Sequence, residues 1–197
     1  MVRAVFLDRD GVINRKAPEG CYVTRWTQVK FLPGGAAAVK RIREAGFQVI
    51  VVSNQRAVAK KLISETELEF LHLRMWQEFF RGEKGFDAVY CCQHDDDPPC
   101  ECRKPQPGML LTAARDRGID LGASWMVGDS ESDVLAGRRA GCRTIRIGSP
   151  DIRSSTGADA VAESLTQAVN VILASETMGA GDHSNESPVV GLASISS

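Results

Sequence analysis

The chain has 197 residues and a formal net charge of −1, with 43% hydrophobic and 25% charged residues. This length and composition are typical of one globular domain with a sizeable core. A near-neutral charge, without a basic stripe rich in aromatic residues, argues against a nucleic-acid partner. Because the sequence contains no signal-peptide pattern and no apolar run of bilayer-spanning length, we also expect no membrane partner and a cytoplasmic location.

Short apolar runs alternate along the chain with stretches of helical periodicity. The first half predicts a strand over Ala4–Leu7, a helix over Gly35–Glu44, a strand over Phe47–Val52 and a helix from the Ser64 capping box to about Phe80. The second half predicts a strand over Asp87–Cys91, a helix from Pro107 to Gly118, a strand over Ser124–Val127, a helix over Glu131–Ala140, a strand over Thr144–Ile147 and a helix over Val161–Ala174.

This alternation predicts an α/β fold, a Rossmann-like parallel sheet with helices on both faces. Ligands of such sheets bind beyond the carboxyl ends of the strands. We expect one domain over residues 1–174. The segment 175–197 is rich in Gly, Ser and Ala and lacks periodicity, which is typical of a disordered tail.

Two carboxylates, Asp8 and Asp10, end the first predicted strand, and Gly11 follows them. Residues i and i+2 of a strand share a face, so both side chains can point into one crevice. Such a pair suits a hard cation, or a division of nucleophilic and acid–base roles. An ordinary turn or helix cap is the simpler interpretation of these residues taken alone.

Polar residues also follow two later strands and precede one helix. Asp129 comes after a buried strand with Asp133 one helical turn further on, although acids also favour helix N-termini because of the dipole. The hydroxyl of Ser53 could bind phosphate oxygens or simply cap a helix. Arg103 and Lys104 precede a proline and could bind a phosphate, or form an ordinary solvated pair.

Four potential zinc ligands, Cys92, His94, Cys100 and Cys102, lie within eleven residues (92–102). Three cysteines and one histidine saturate a tetrahedral Zn²⁺ ion, which predicts a structural site and a small zinc-binding loop. A metal would order this polar, proline-containing loop. Reduced cysteines around a strand end are the alternative, and Cys91 could replace Cys92 as a ligand.

The motifs FLDRDGVIN, VVSNQ, CRKPQPGML and MVGDSESD resemble, in this order, those of the haloacid dehalogenase-like phosphatases over residues 1–150. With the Cys/His loop and Tyr22-Val23, the chain is similar to the heptose bisphosphate 7-phosphatases of that superfamily, relatives of the histidinol-phosphate phosphatase domain. The resemblance implies a minimal cap and a Mg²⁺-dependent, monomeric phosphatase. Its substrate would be D-glycero-D-manno-heptose 1,7-bisphosphate, cleaved at the 7-phosphate. Histidinol phosphate or another small phosphosugar is an alternative, and so is a catalytically silent zinc-stabilised module.

The resemblance also implies a role for each motif residue. Asp8 would be the nucleophile that forms an aspartyl-phosphate, and Asp10 the general acid and base. Mg²⁺ would be held by Asp8, Asp129 and the backbone carbonyl of Asp10, while Ser53 and Lys104 would stabilise the transferring phosphoryl group. Substrate contacts are implied for Glu19, Gly20, Cys21, Tyr22, Asn54, Gln55, Arg56, Arg103 and Ser130.

Three departures from the family pattern concern substrate recognition. Residues 56–61 read RAVAKK where the family usually has SGIARG. Ser130 follows the Gly-Asp turn where a lysine is usual. The stretch between Asn14 and Tyr22 is longer than the family pattern. The phosphoryl-transfer motifs are unaffected, so these differences bear on which sugar is recognised.

Overall fold

The computed structural model describes residues 2–81, 85–149, 151 and 157–179. Six parallel strands form one sheet in the order β3-β2-β1-β4-β5-β6. The strands are β1 (Ala4–Leu7), β2 (Gln48–Asn54), β3 (Ala88–Cys92), β4 (Trp125–Gly128), β5 (Arg143–Ile147) and β6 (Ala160–Ala162). The helices are α1 (Gly35–Glu44), α2 (Glu65–Phe80), α3 (Gly108–Arg117), α4 (Glu131–Ala140) and α5 (Leu165–Gly179).

The predicted parallel α/β fold is confirmed, and the first five strands lie within two residues of their predicted bounds. The predicted helix over Val161–Ala174 is wrong at its start, because Ala160–Ala162 form a strand and the helix begins at Leu165. Three residues are too few to show a period, and β6 is defined only by its pairing with β5. Helix α5 continues to Gly179, past the predicted start of the tail, and residues 180–197 of that tail lie outside the described residues.

Strand β1 lies at the centre of the sheet, and both of its faces are covered. Val5 and Leu7 pack with residues of α1 and α5 on one face, whereas Ala4 and Phe6 pack with residues of α3 and α4 on the other. All four are fully buried, which explains the continuous apolar run. Burying each large side chain contributes roughly 2 kcal/mol, so the carboxyl end of β1 is held rigidly.

A third apolar cluster lies above the carboxyl edge of the sheet. It joins Val23 and Val29 of the loop after β1 to Ala57 and Ile63 of the loop after β2, and to the buried face of α2. Residues 8–34 contain one short helix, the 3₁₀ turn Trp26–Gln28, so the cap over this edge is small. None of the helices in the described ranges combines the length and apolarity needed to cross a bilayer.

Candidate active site

The polar residues that follow β1, β2 and β4 line a single cavity of about 360 Å³ at the carboxyl edge of the sheet. Parallel strands bring their carboxyl ends to one edge, so Asp8, Ser53 and Asp129 meet although they are far apart in sequence. The predicted site residues that line the cavity are Asp8, Asp10, Glu19, Gly20, Cys21, Tyr22, Ser53, Asn54, Gln55, Arg103, Lys104, Asp129 and Ser130.

A buried cation joins two buried carboxylates at the floor of the cavity. The Nζ atom of Lys104 lies 2.7 Å from Oδ1 of Asp8 and 2.6 Å from Oδ1 of Asp133, and it also donates to the Val52 carbonyl. Burial raises the pKa of Asp8 to about 7, against the attraction of Lys104. Burial works to lower the pKa of Lys104, but the two carboxylates outweigh it and raise that pKa.

Asp133 is a member of the site that the sequence indicated only as a neighbour of Asp129. It is 1% exposed, and its Oδ2 accepts hydrogen bonds from the backbone N–H and the hydroxyl of Ser130. Burial works to raise the pKa of Asp133, yet Lys104 and Ser130 together lower it. Asp133 therefore acts as the permanent counter-ion of Lys104. The sequence feature that could have identified Asp133 is its capping-box position, three residues after Ser130.

Asp10 is oriented by three donors. Arg9 donates from Nη2 at 2.8 Å and from Nε at 3.1 Å, Asn14 donates from Nδ2 at 2.8 Å, and Gln55 donates from Nε2 at 3.3 Å. Burial works to raise the pKa of Asp10, but Arg9, with the hydrogen bonds from Asn14 and Gln55, lowers it overall. The carboxylate is thus held ionised, in one orientation, at the wall of the cavity.

A fourth acid, Asp129, lies beside the turn that follows β1. A Cβ atom at Gly11 would overlap the Asp129 carboxylate, and the φ of Gly11 is +94°, so both space and backbone require glycine there. Burial raises the pKa of Asp129, against the attraction of Lys16, whose Nζ lies 3.1 Å from Oδ2. Lys16 also lines the cavity and was not among the predicted site residues.

These carboxylates fit a divalent cation. One oxygen from each of Asp8, Asp129 and Asp133 lies within 4.8 Å of the others. Carboxylate oxygens are hard ligands of the kind that Mg²⁺ prefers. Lys104 and Ser130 already engage Asp133, which leaves Asp8 and Asp129 as the side chains with oxygens to offer.

The four predicted zinc ligands converge. The Sγ atom of Cys100 lies 3.6 Å from Sγ of Cys92 and 3.4 Å from Sγ of Cys102, and Nδ1 of His94 lies 3.2 Å from Sγ of Cys102. Zn–S bonds of about 2.3 Å place tetrahedral ligands ~3.7 Å apart, close to these separations. Cys91 is not in the cluster, so the geometry favours Cys92 in the position that the sequence left open.

Arg56 is the one predicted substrate contact that does not line the cavity. Its guanidinium instead binds Asp95 and Asp96 of the cysteine loop, each at 2.5 Å. Arg103 binds Asp96 through Nε at 2.6 Å, but its buried Nη1 has no hydrogen-bond partner among the described residues. Arg103 therefore keeps a donor for a ligand, whereas Arg56 serves to fix the loop.

A buried contact between Arg9 and His72 holds in place the guanidinium group that binds Asp10. This contact was not predicted from the sequence. Nη1 of Arg9 lies 3.0 Å from Nε2 of His72, and the His72 ring stacks on Trp76. A guanidinium only donates, so Nε2 must accept and the ring must be neutral. Burial lowers the pKa of His72 to about 3, and Arg9 adds to this effect. The available signal was a lone polar residue on the buried face of α2.

The substitution His72→Gln is expected to make the protein less sensitive to acid. Unfolded His72 binds a proton near pH 6.5, whereas the folded protein resists protonation down to about pH 3. His72 therefore leaves stability unchanged above pH 6.5 and lowers it as the pH falls below that value, by about 2 kcal/mol at pH 5. Urea unfolding at pH 7 and pH 5 measures the difference between the two proteins.

Glutamine keeps an acceptor for Arg9, so the variant separates protonation from the loss of a hydrogen bond. The drop in the free energy of unfolding between the two pH values should be smaller in His72→Gln than in the unsubstituted protein. An equal drop in both proteins would mean that folded His72 accepts a proton readily.

The sequence of this chain is similar to those of known phosphatases. The family model described as HAD-hyrolase-like matches residues 101–168. The chain is 36% identical over 186 residues to a D-glycero-beta-D-manno-heptose-1,7-bisphosphate 7-phosphatase of Yersinia pestis, covering 88% of this chain and 96% of that protein. It is 34% identical over 161 residues to a D-glycero-alpha-D-manno-heptose-1,7-bisphosphate 7-phosphatase of Photorhabdus laumondii, covering 76% and 85% of the two chains.

A solved structure gives the same similarity in three dimensions. The crystal structure of D,D-heptose 1.7-bisphosphate phosphatase from B. bronchiseptica, complexed with magnesium and phosphate, matches with a TM-score of 0.79 at 30% identity. The match covers 88% of this chain and 99% of that one. The likeness thus extends over nearly the whole described fold.

Proposed function

Since the chain belongs to the haloacid dehalogenase-like phosphatases, in the family of heptose 1,7-bisphosphate 7-phosphatases, we propose that it removes the 7-phosphate of D-glycero-D-manno-heptose 1,7-bisphosphate. The protein is a phosphatase, and the proposal concerns its substrate and the roles of its residues. The observation that carries it is the buried Asp8 carboxylate, 2.7 Å from Lys104, facing a cavity lined with further acids and cations.

Asp8 is the nucleophile in this proposal. Its carboxylate oxygen attacks phosphorus, an aspartyl-phosphate forms, and the sugar alkoxide leaves. Lys104 opposes the rise in the pKa of Asp8 that burial causes and, with Ser53, binds oxygens of the transferring group. Asp8, Asp129 and the Asp10 carbonyl would hold Mg²⁺, which would supply positive charge against the phosphoryl oxygens. Water then cleaves the aspartyl-phosphate and releases inorganic phosphate.

Asp10 supplies and removes the protons. Arg9, Asn14 and Gln55 hold it as a carboxylate, so it gains its proton only when a phosphate dianion in the cavity raises its pKa. It then protonates the leaving oxygen, returns to the carboxylate and takes a proton from the attacking water. The same three donors keep the Asp10 carboxyl group in one orientation through both steps. A residue that transfers a proton in two successive steps needs such a fixed orientation.

A comparison of substrates tests the proposed function. The purified full chain is assayed with Mg²⁺ for phosphate release from both anomers of the heptose bisphosphate, and from histidinol phosphate. We expect kcat/KM for one heptose anomer to exceed that for histidinol phosphate at least ~10-fold, because each lost charged contact costs about that factor. Both anomers are needed because the chain resembles enzymes named for each. Faster turnover of histidinol phosphate would contradict the proposal.

We propose further that Cys92, His94, Cys100 and Cys102 bind one structural Zn²⁺ ion. Four protein ligands leave no open position, so the ion would not take part in phosphoryl transfer. Its effect would be indirect, because Lys104 lies two residues after Cys102. The zinc site and the ion pairs of Arg56 together support the same loop.

Loss of zinc is therefore expected to loosen Lys104 and lower activity. Substituting Cys100→Ala should remove bound zinc and reduce kcat/KM at least ~10-fold, since removing a structural ligand usually disorders a metal-held loop. Cys91→Ala is the matched control, because this neighbouring thiol lies outside the cluster. Elemental analysis and phosphate release are measured on both. Protein that carries no zinc after expression with zinc and purification without chelators would refute the site.

The proposed enzyme works as a monomeric, single-domain protein over residues 1–174 on a small phosphosugar in the cytoplasm. Charged phosphosugars do not cross bilayers unaided, which ties the enzyme to the compartment that holds its substrate. Light scattering after gel filtration tests the oligomeric state.

A further inference from the structure

The cations of the cavity are not equally free to bind a ligand. Among the described residues four cationic side chains line it: Arg9, Lys16, Arg103 and Lys104. The Arg9 side chain is 2% exposed and lies between Asp10 and His72. The Lys104 side chain is also 2% exposed and lies between Asp8 and Asp133. Arg103 is paired with Asp96 through Nε, and its unpartnered donor, Nη1, is buried. The Lys16 side chain is 58% exposed, and Asp129 is its only polar partner within the described part of the chain.

Lys16 is also held near the floor of the cavity by its neighbours in sequence. Asn14 is fully buried and donates to Asp10 at 2.8 Å, and the backbone N–H of Arg15 donates to the Lys30 carbonyl. The backbone of the next residue, Lys16, therefore has a fixed position, while its four-carbon side chain lets the ammonium group move by several ångströms. A long stem on a fixed base suits a group that changes partners.

The charge balance of the cavity indicates what kind of partner Lys16 would bind after leaving Asp129. Five carboxylates line the cavity (Asp8, Asp10, Glu19, Asp129 and Asp133) together with the four cations, which leaves one net negative charge. A divalent cation on Asp8 and Asp129 reverses this to one net positive charge. Lys16 then shares Asp129 with a like charge only a few ångströms away, which weakens its ion pair. An anion at the mouth of the cavity would balance the net positive charge and give Lys16 a partner in place of Asp129.

The proposed substrate brings that anion, because it carries a second phosphate that does not react. We propose that Lys16 leaves Asp129 in the metal-bound enzyme and binds this second phosphate, so that it determines the preference for a sugar bisphosphate over a monophosphate. This inference rests on the proposed function. It assigns a role to a residue that neither attacks the substrate nor binds the reacting phosphate.

Steady-state kinetics test the inference with paired substrates. The heptose 1,7-bisphosphate and the heptose 7-phosphate react at the same bond and differ only in the second phosphate. Lys16→Gln should raise KM for the bisphosphate about tenfold or more, because a charged hydrogen bond is lost, with kcat nearly unchanged. KM for the monophosphate should stay the same. Lys40→Gln, an exposed lysine on α1 outside this cavity, removes the same charge and should change neither constant.

Magnesium binding gives a readout that does not depend on turnover. In calorimetric titration of metal-free protein, Lys16→Gln should bind Mg²⁺ about two- to fivefold more tightly, because an exposed ion pair no longer competes for Asp129. Lys40→Gln should bind Mg²⁺ like the unsubstituted protein.

The outcomes separate the inference from the proposed function. An unsubstituted protein that hydrolyses neither heptose phosphate overturns both. An active enzyme in which Lys16→Gln changes KM for the two substrates equally, or for neither, overturns the role of Lys16 alone. A bisphosphate-selective defect found in Arg103→Gln and absent from Lys16→Gln would assign the second phosphate to Arg103 and overturn the role of Lys16.

Discussion

Replacing Asp8 with Asn is expected to lower kcat by at least ~10⁴-fold while the protein stays folded. The amide has the size of the carboxylate but no negative oxygen with which to attack phosphorus. The oxygens that remain in the cavity cannot replace it, because Asp10 is bound by Arg9 and Asp133 by Lys104. Loss of this one group therefore removes the covalent pathway.

Stability should respond to Asp8→Asn in the opposite direction. Burial raises the pKa of Asp8 to about 7, so its carboxylate is costly to ionise in the folded protein. A neutral amide avoids that cost, and Lys104 keeps Asp133 as its counter-ion. At and above pH 7 we expect a free energy of unfolding that is unchanged or higher by about 1 kcal/mol.

Phosphate release and urea unfolding measured on the same preparation check both expectations. Asp116→Asn, which neutralises an exposed acid on α3, is the control and should change neither quantity. Activity within tenfold of the unsubstituted protein would refute Asp8 as the nucleophile. A strong loss of stability would refute the electrostatic description of its site.

Replacing Lys104 with Met is expected to damage both stability and activity. Asp8 and Asp133 would face each other in a buried site without their cation, and breaking such a buried pair costs about 3–5 kcal/mol. Loss of a donor to the transferring phosphoryl group should reduce kcat by a further ~10²–10³-fold. Both expected effects come from one ammonium group because it contacts both the proposed nucleophile, Asp8, and the buried Asp133.

The loss of stability in Lys104→Met should depend on pH. Without the cation, both carboxyl groups have folded-state pKa values above those in the unfolded chain. The folded protein then binds more protons than the unfolded one, so stability increases as the pH falls through those raised values. Unfolding at pH 7 and pH 5 should show a smaller defect at pH 5.

A second substitution separates stability from catalysis. Adding Asp133→Asn to Lys104→Met removes one of the two unpaired charges and should restore much of the free energy of unfolding, without restoring turnover. A Lys104→Met protein as stable at pH 7 as the unsubstituted one would contradict the buried ion pairs. Recovery of activity in the double variant would contradict the role of Lys104 at the phosphoryl group.

Local sequence patterns were sufficient for much of the fold and the site. The apolar runs located β1, β2 and β4 because a strand buried on both faces has to be largely apolar. Asp8 and Asp129 could be placed together because parallel strands end at one edge of a sheet. The four Cys and His ligands were visible because they are close in sequence, so their convergence needs only one loop.

Long-range pairings were decided only by the tertiary structure. The partner of Lys16 is 113 residues away, that of Arg9 is 63 residues away on α2, and Arg56 turns to the cysteine loop. Strand β6 likewise exists only through its pairing with β5. Periodicity and spacing encode where an element ends, whereas the partner of a long charged side chain depends on which opposite charges the packing leaves unbalanced. For this reason the sequence by itself indicated the reaction, whereas the proposal for how the substrate is held depends on the folded arrangement of charges.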